Sequence, residues 1–244
     1  MHRFFANLKE DSQNVVIDDA DELHHLTHAL RLKPGDRVEL INGCGLLAEA
    51  EILSILKKEA RLLVLAVRNA GSPRLPRIIL ACAIPKKSRF EDIIDKCTQL
   101  GVDEIIPMIT ERTECVLSDK ALPAKIGRYQ KVLRSAVKQS KRLFSPVIHA
   151  PMLFDHVLKN FCNASTASFI PWLEGSRIPL KEALAEASGK EKILFLIGPE
   201  GDFTLAEVAQ AKEKGAVPVS LGPNVLRVDT AAQFVAGMAV VLRQ

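Results

Sequence analysis

"KILFLIGPEGDFTLAEV", residues 192–208, is the stretch on which the fold turns. Lys192 leads five consecutive apolar residues, Ile193 to Ile197. Such an unbroken run fits a strand buried on both faces, as in a parallel sheet. The run ends in Gly-Pro-Glu-Gly. Gly198 and Gly201 permit a tight turn and close backbone approach, while Pro199 fixes φ and removes a donor. Thr204 and Glu207 stand three apart as a capping box, so a helix starts immediately after. In open α/β sheets, ligands bind beyond the carboxyl ends of the strands, which is where this loop falls.

A second stretch repeats the arrangement. "AVPVSL" (216–221) reads as a strand, and "SLGPNVLRVDTAA" (220–232) leaves it through Gly-Pro into a helix from about 229 to 243. If the two strands are neighbours, their loops line one pocket. Neither loop carries Lys and there is no GxxxxGK[ST], so a triphosphate cradle is not signalled. A pocket of backbone amides, carbonyls and apolar side chains suits an adenosine better than a polyphosphate.

Strand–helix alternation fills the chain from 77 onward. "RIILACAI" (77–84), "VDEIIPMI" (102–109) and "ASFIPWL" (167–173) read as further apolar strands. Helices are expected after Ser88, which forms a capping box with Glu91, and over 122–141, "FDHVLKNF" and "PLKEALAEA". This predicts a largely parallel sheet covered on both faces. Residues 1–70 differ. "RVELINGCGLLAEAEIL" and "ARLLVLAV" read as strands, and "DADELHHLTHALRL" as one helix. "NAGSPRLP" (69–76) is the linker, dividing a domain over 1–72 from one over 73–244. "GCGLLA" (43–48) matches a loose dinucleotide fingerprint, but strand follows it, so a hairpin turn is the better reading. His24 and His28 share a helix face without the Glu of HExxH, so zinc is not indicated.

The chain has 244 residues, 48% hydrophobic and 25% charged, as one or two globular domains would have. Its net charge of +4 is compatible with a nucleic-acid partner without specifying one. Cysteines 44, 82, 97, 115 and 162 form no CxxC pair, so neither a metal site nor a redox dithiol is expected, and a reducing cytoplasm suits them. The N-terminus lacks an apolar signal region and no apolar run nears the ~20 residues of a membrane helix.

"LIGPEGDFTLAEV" with "LGPNVLRVDTAA" resembles the two signature loops of the RsmE family, RNA methyltransferases of the small ribosomal subunit within the SPOUT superfamily. "HRFF", "HHLTHALRLKPGDRVELINGCG", "AIPKKSRFEDIIDKCTQLGVDEIIP", "TERT" and "QSKR" extend the likeness over nearly the whole chain. The resemblance implies an α/β fold: a C-terminal SPOUT trefoil-knot domain with a parallel sheet, plus a small N-terminal PUA-like β-barrel. It implies a homodimer that uses S-adenosylmethionine to methylate N3 of a uridine in 16S rRNA. Five positions depart from the family pattern. Lys138 stands where the family has Glu and Val228 where it has Thr. Asp202 and Lys141 stand where the family has Gly, and Asp229 stands where it has Glu.

On this reading Leu196, Ile197, Gly198, Pro199, Glu200, Gly201, Leu221, Gly222, Asn224, Val225, Leu226 and Thr230 hold the cofactor. Uracil N3 carries a proton at neutral pH, so Glu200 and Asp229 are candidate bases, and Arg227 a candidate for stabilising the uracil anion. Both carboxylates have a structural alternative, Glu200 bonding loop amides and Asp229 capping the last helix. Arg3, Arg31, Lys86, Arg89, Gln139 and Arg142 are the expected RNA contacts. A nucleotide- or NAD-dependent α/β enzyme and a non-catalytic ribosome-assembly protein are the competing readings.

Overall fold

The computed structural model describes residues 1–86, 90–114 and 121–241, so Ser88, Arg89 and Cys115 lie outside the described residues. The chain divides into two compact units, Met1–Pro73 with Val137–Ser145, and Arg74–Ala136 with Pro146–Gln244.

The first unit is built on five strands, β1 (Arg3–Phe5), β2 (Asn14–Ile17), β3 (Arg37–Ile41), β4 (Leu46–Ile55) and β5 (Ala60–Asn69). They run in the order β1-β3-β4-β5-β2. Strict alternation drives β4: Leu46, Ala48, Ala50 and Ile52 are buried and pack with Phe4, Leu26, Val38 and Leu62. β2 was not expected from sequence; its four residues bury only Val15 and Ile17. Asn42–Gly45 turns β3 back antiparallel onto β4, with φ +74 at Gly43 and +104 at Gly45. Asn42 Oδ1 accepts from the amides of Cys44 and Leu46. The hairpin reading of "GCGLLA" therefore holds, and no helix follows it. Helix α1 (Ala20–His24) starts on Asp19, which accepts from the Asp21 and Glu22 amides, and it widens into a π-helical turn over His25–Ala29.

Residues 137–145 join this unit through specific bonds. Lys138 Nζ donates to both carboxylate oxygens of Glu22, at 2.9 and 3.0 Å. The Gly45 amide donates to the Leu143 carbonyl and the Ser145 amide to the Gly43 carbonyl. Glu22 is only 2% exposed, so loss of Lys138 would strand a buried charge.

The second unit holds eight strands, β6 (Arg77–Ala83), β7 (Glu104–Ile109), β8 (Val147–Ile148), β9 (Met152–Leu153), β10 (Thr166–Pro171), β11 (Ile178–Pro179), β12 (Lys192–Ile197) and β13 (Val217–Ser220). Their order is β11-β13-β10-β12-β6-β7-β8, with β9 also on β7, and every pairing is parallel. Helices α2 (Phe90–Gln99), α3 (Leu122–Gln139), α4 (Phe154–Phe161), α5 (Leu180–Ala185), α6 (Leu205–Glu213) and α7 (Val228–Val241) complete the chain. Along β6 and β12, Ile79, Ala81, Leu194 and Leu196 pack with Phe154, Val157 and Leu158 of α4 and Val208 and Ala211 of α6. α7 lies against β6 and β12, and α2 against α7. Each fully buried Leu, Ile or Phe contributes about 1.5–3 kcal/mol of transfer free energy. The Thr204–Glu207 capping box is present, with both reciprocal bonds made.

Glu104 is a buried acid on β7. His149 Nε2 lies 2.9 Å from its Oε2 and Arg77 3.8 Å from its Oε1. The hydrogen bond with His149 leads in holding the carboxyl below its ordinary value of 4.5. A depressed folded value gives stability that is present above pH 4.5 and is lost as pH falls through the folded value. Glu104→Gln should therefore flatten the acid limb of stability measured by urea unfolding between neutral and acidic pH. An unchanged acid limb would show that Glu104 carries none of it.

Candidate functional site

Three parallel strands end side by side at one edge of the second sheet. β10 lies between β12 and β13, pairing Phe169 with Phe195 on one side and with Val217 on the other. The two Gly-Pro strands are therefore not direct neighbours, since β10 separates them. Their loops nonetheless line one cavity of about 380 Å³, together with residues that follow β10.

The β12 loop contributes Ile197, Gly198, Pro199, Glu200 and Asp202. The β13 loop contributes Leu221, Gly222, Asn224, Val225, Leu226 and Arg227, and α7 adds Val228 and Ala231. The β10 end supplies Pro171, Trp172, Leu173 and Arg177, none of which sequence reading had placed there. Its signal was weak, since "PWLEGSR" has no paired Gly-Pro, and only the strand order brings it in. The cavity lining holds no Lys.

Two glycines have a local reason. A Cβ on Gly198 would lie 2.9 Å from the Phe203 ring. Gly222 sits at φ +119, a backbone that side chains rarely adopt.

Asp202 bridges two walls. Its Oδ2 accepts from the Leu173 amide at 3.1 Å and its Oδ1 from the Phe203 amide at 2.8 Å. Its φ is +57, the left-handed region that Gly, Asn and Asp tolerate best. Lys141, the other position where the family carries Gly, sits at φ +58. Both replacements thus keep a glycine-like backbone. The Trp172 amide donates to the Val219 carbonyl at 3.2 Å and Arg177 Nη1 to the Trp172 carbonyl at 2.8 Å. The β10 end is therefore tied to both Gly-Pro arms.

The candidate acids differ in exposure. Glu200 is exposed, and its Oε1 accepts from the Lys86 amide at 3.1 Å. Asp229 is half-buried in the first turn of α7 and does not line the cavity. Cys82, wholly buried at the end of β6, feels both. Its thiol is pushed well above the ordinary value by burial first, then by Cys97, Glu200 and Asp229. Burial pushes Cys97 up to about 12.

Three of the residues expected to hold the cofactor do not line this cavity. Leu196 points into the core with Phe203 and Val208, because alternate residues of β12 face opposite sides of the sheet. Gly201 does not line the cavity, and its carbonyl accepts from Arg112 Nη1 at 2.6 Å. Thr230 is exposed on α7, away from the lining.

The expected RNA contacts differ in their surroundings. Arg3 is not a free cation. Its side chain is 7% exposed, pairs with Glu39 at 2.7 Å and donates to the Arg142 carbonyl at 3.3 Å. Arg142 itself is half-buried. Arg31 and Gln139 are exposed. Lys86 is exposed and its Nζ sits 2.6 Å from Glu114, a hydrogen bond that raises its pKa. Arg89 lies outside the described residues.

Relatives share both halves of the chain. The profile of an RNA methyltransferase domain matches residues 73–240, and that of an RNA methyltransferase PUA domain matches residues 17–65. A ribosomal RNA small subunit methyltransferase E from Synechocystis is 33% identical over 86% of this chain and 67% of its own length. One from Mycobacterium bovis is 30% identical over 98% of this chain and 91% of its own. A ribosomal RNA small subunit methyltransferase E from Neisseria gonorrhoeae, solved bound to S-adenosyl methionine, superposes with TM-score 0.85 at 26% identity, over 99% and 98% of the two chains. A Legionella pneumophila methyltransferase solved with bound SAM gives TM-score 0.88 at 25% identity, over 98% and 97%.

Lys141 and Asp202, two of the three described non-glycine residues at positive φ, separate backbone strain from bonding. Lys141→Gly should raise the melting temperature, since relief of about 1–2 kcal/mol exceeds the entropic cost of glycine. Asp202→Gly should not, because it also removes the Leu173 bond. Equal stabilisation in thermal melts of both variants would show that the bond contributes nothing.

Proposed function

The chain belongs to the ribosomal RNA small subunit methyltransferase E family of RNA methyltransferases, and from this we propose that it methylates N3 of a uridine in the 16S rRNA of the small subunit, with S-adenosylmethionine as donor. The cavity at the ends of β10, β12 and β13 carries this reading. Its volume of about 380 Å³ falls in the range of small-ligand sites. Its donor set fits the cofactor: backbone groups of two Gly-Pro loops, apolar walls for an adenine, and acids and arginines for a zwitterionic tail. Ile197, Gly198, Pro199, Glu200, Leu221, Gly222, Asn224, Val225 and Leu226 would hold it. A phosphate-binding nucleotide enzyme is disfavoured by the absence of Lys from the lining.

Bound there, the cofactor supplies an electrophilic methyl carbon. The protein's part is to orient the uracil against it and to favour loss of the N3 proton. Glu200, which lines the cavity, and Asp229, in the first turn of α7, are the candidate bases for that proton, and Arg227 lines the cavity as the cation able to stabilise the resulting anion. The Lys86 amide bond also gives Glu200 a role in shaping the loop. The resemblance further supports a cytoplasmic homodimer with a knotted backbone. Phe234 and Val241, 41% and 66% exposed on α7, leave apolar surface for a second copy. No helix among the described residues is long and apolar enough to cross a membrane.

Calorimetry should show S-adenosylmethionine binding and no NAD binding; NAD binding alone would overturn the reading. Methyl transfer to small-subunit RNA lacking the modification should be measurable, and its absence would leave a non-catalytic assembly protein. In single-turnover assays, Arg227→Ala should cut the rate roughly 100-fold or more with little change in cofactor affinity. Glu200→Gln and Asp229→Asn, if both retain full rate, would be eliminated as bases.

A further inference from the structure

The first unit contains a second cavity, of about 660 Å³, which the proposed reaction does not use. One wall is the helix α1 and its π-helical continuation, presenting Leu23, His24, Thr27 and His28. The other is the turn between β4 and β5, presenting Leu56, Lys57 and Lys58. Four features of this cleft point to one chemistry.

His24 and His28 stack with ring centroids 4.7 Å apart and planes 13° from parallel, and both are exposed. They offer an aromatic platform of the kind on which unstacked bases rest. The platform is fixed by a defined proton. The Thr27 hydroxyl must donate to the Leu23 carbonyl, 2.7 Å away, because a carbonyl only accepts. At the 2.7 Å contact with His28 Nδ1 the same oxygen therefore accepts, so Nδ1 carries the proton. Nε2 is left for an incoming group. The π-helical turn, His25–Ala29, starts directly after His24 and contains His28, and such widened turns are frequent at functional sites. Across the cleft, Lys57 and Lys58 are exposed and make no ion pair with any described residue. Asp18 at the rim is the one acid in the lining, so the cleft stays positive.

We propose that this cleft binds one nucleotide of single-stranded RNA, its base on the His24–His28 platform and its phosphate on Lys57 and Lys58. The proposal deepens the methyltransferase reading and rests on it: the cleft would hold a strand of the substrate RNA away from the base that is modified. Direct stacking and two point charges give affinity without sequence readout, as single-strand sites do.

Binding of a fluorescent single-stranded oligouridylate to the full-length protein, followed by anisotropy over a range of salt, tests this. His24→Ala with His28→Ala should weaken binding roughly 5- to 100-fold at unchanged salt slope. Lys57→Gln with Lys58→Gln should lower the slope of log K against log salt by about 1.4, two single-strand phosphate contacts. His28→Phe keeps a ring and should bind close to the unsubstituted protein, which separates loss of the platform from misfolding. The proposal falls if the unsubstituted protein does not bind the strand. It also falls if the His pair can be removed without loss, if the salt slope of the Lys variant is unchanged, or if His28→Phe binds as poorly as the double Ala variant. Binding of uridine monophosphate as tight as that of the strand would instead assign the cleft to a free nucleotide and overturn the RNA role. Calorimetry with S-adenosylmethionine should be the same for all variants. If the unsubstituted protein transfers no methyl group to unmodified small-subunit RNA, the enzymatic reading fails on its own account, whatever the cleft binds.

Discussion

Parallel pairing is the constraint from which the rest of the second unit follows. Parallel strands need crossovers and burial on both faces, so their carboxyl ends collect at one edge of the sheet. Here that edge gathers the ends of β12, β10 and β13, and the sheet itself requires nothing polar of them. The loops are then free to be shaped by glycine, proline and a few backbone-directed bonds. Asp202, Trp172 and Arg177 supply those bonds. The cavity is thus a by-product of strand polarity, tuned by the side chains of Asp202 and Arg177 and the backbone of Trp172.

The first unit depends on a different kind of interaction. Residues 137–145 enter it on the strength of a buried pair, Lys138 with Glu22, and a few backbone hydrogen bonds. A buried ion pair adds little net stability, since desolvation nearly offsets the attraction, but breaking it is costly. It therefore specifies a location for the segment more than it strengthens the fold. The Arg3–Glu39 pair does the same for the first strand, and that use explains why Arg3 is withdrawn from solvent.

Much of the architecture was legible because it is local. The run Ile193–Ile197, the Thr204–Glu207 box and the Asn42–Gly45 turn each carry their own structural cause within a few residues. The neighbour of β12 was not legible, because strand order is set by crossovers that no short window contains. For the same reason Trp172 and Arg177 escaped notice although they stand beside the recognised loops. β2 was missed since Asn14–Ile17 is short and offers only two buried side chains. Charge misled at Arg3, where basic character said nothing about a partner 36 residues away.

The two buried thiols give the molecule an internal clock. Only the thiolate reacts, and burial keeps Cys82 and Cys97 protonated and out of reach, while Cys44 lies exposed. Any modification of Cys82 must wait until the end of β6 opens. The pace of its alkylation, set against that of Cys44, would read how often the end of β6 comes apart.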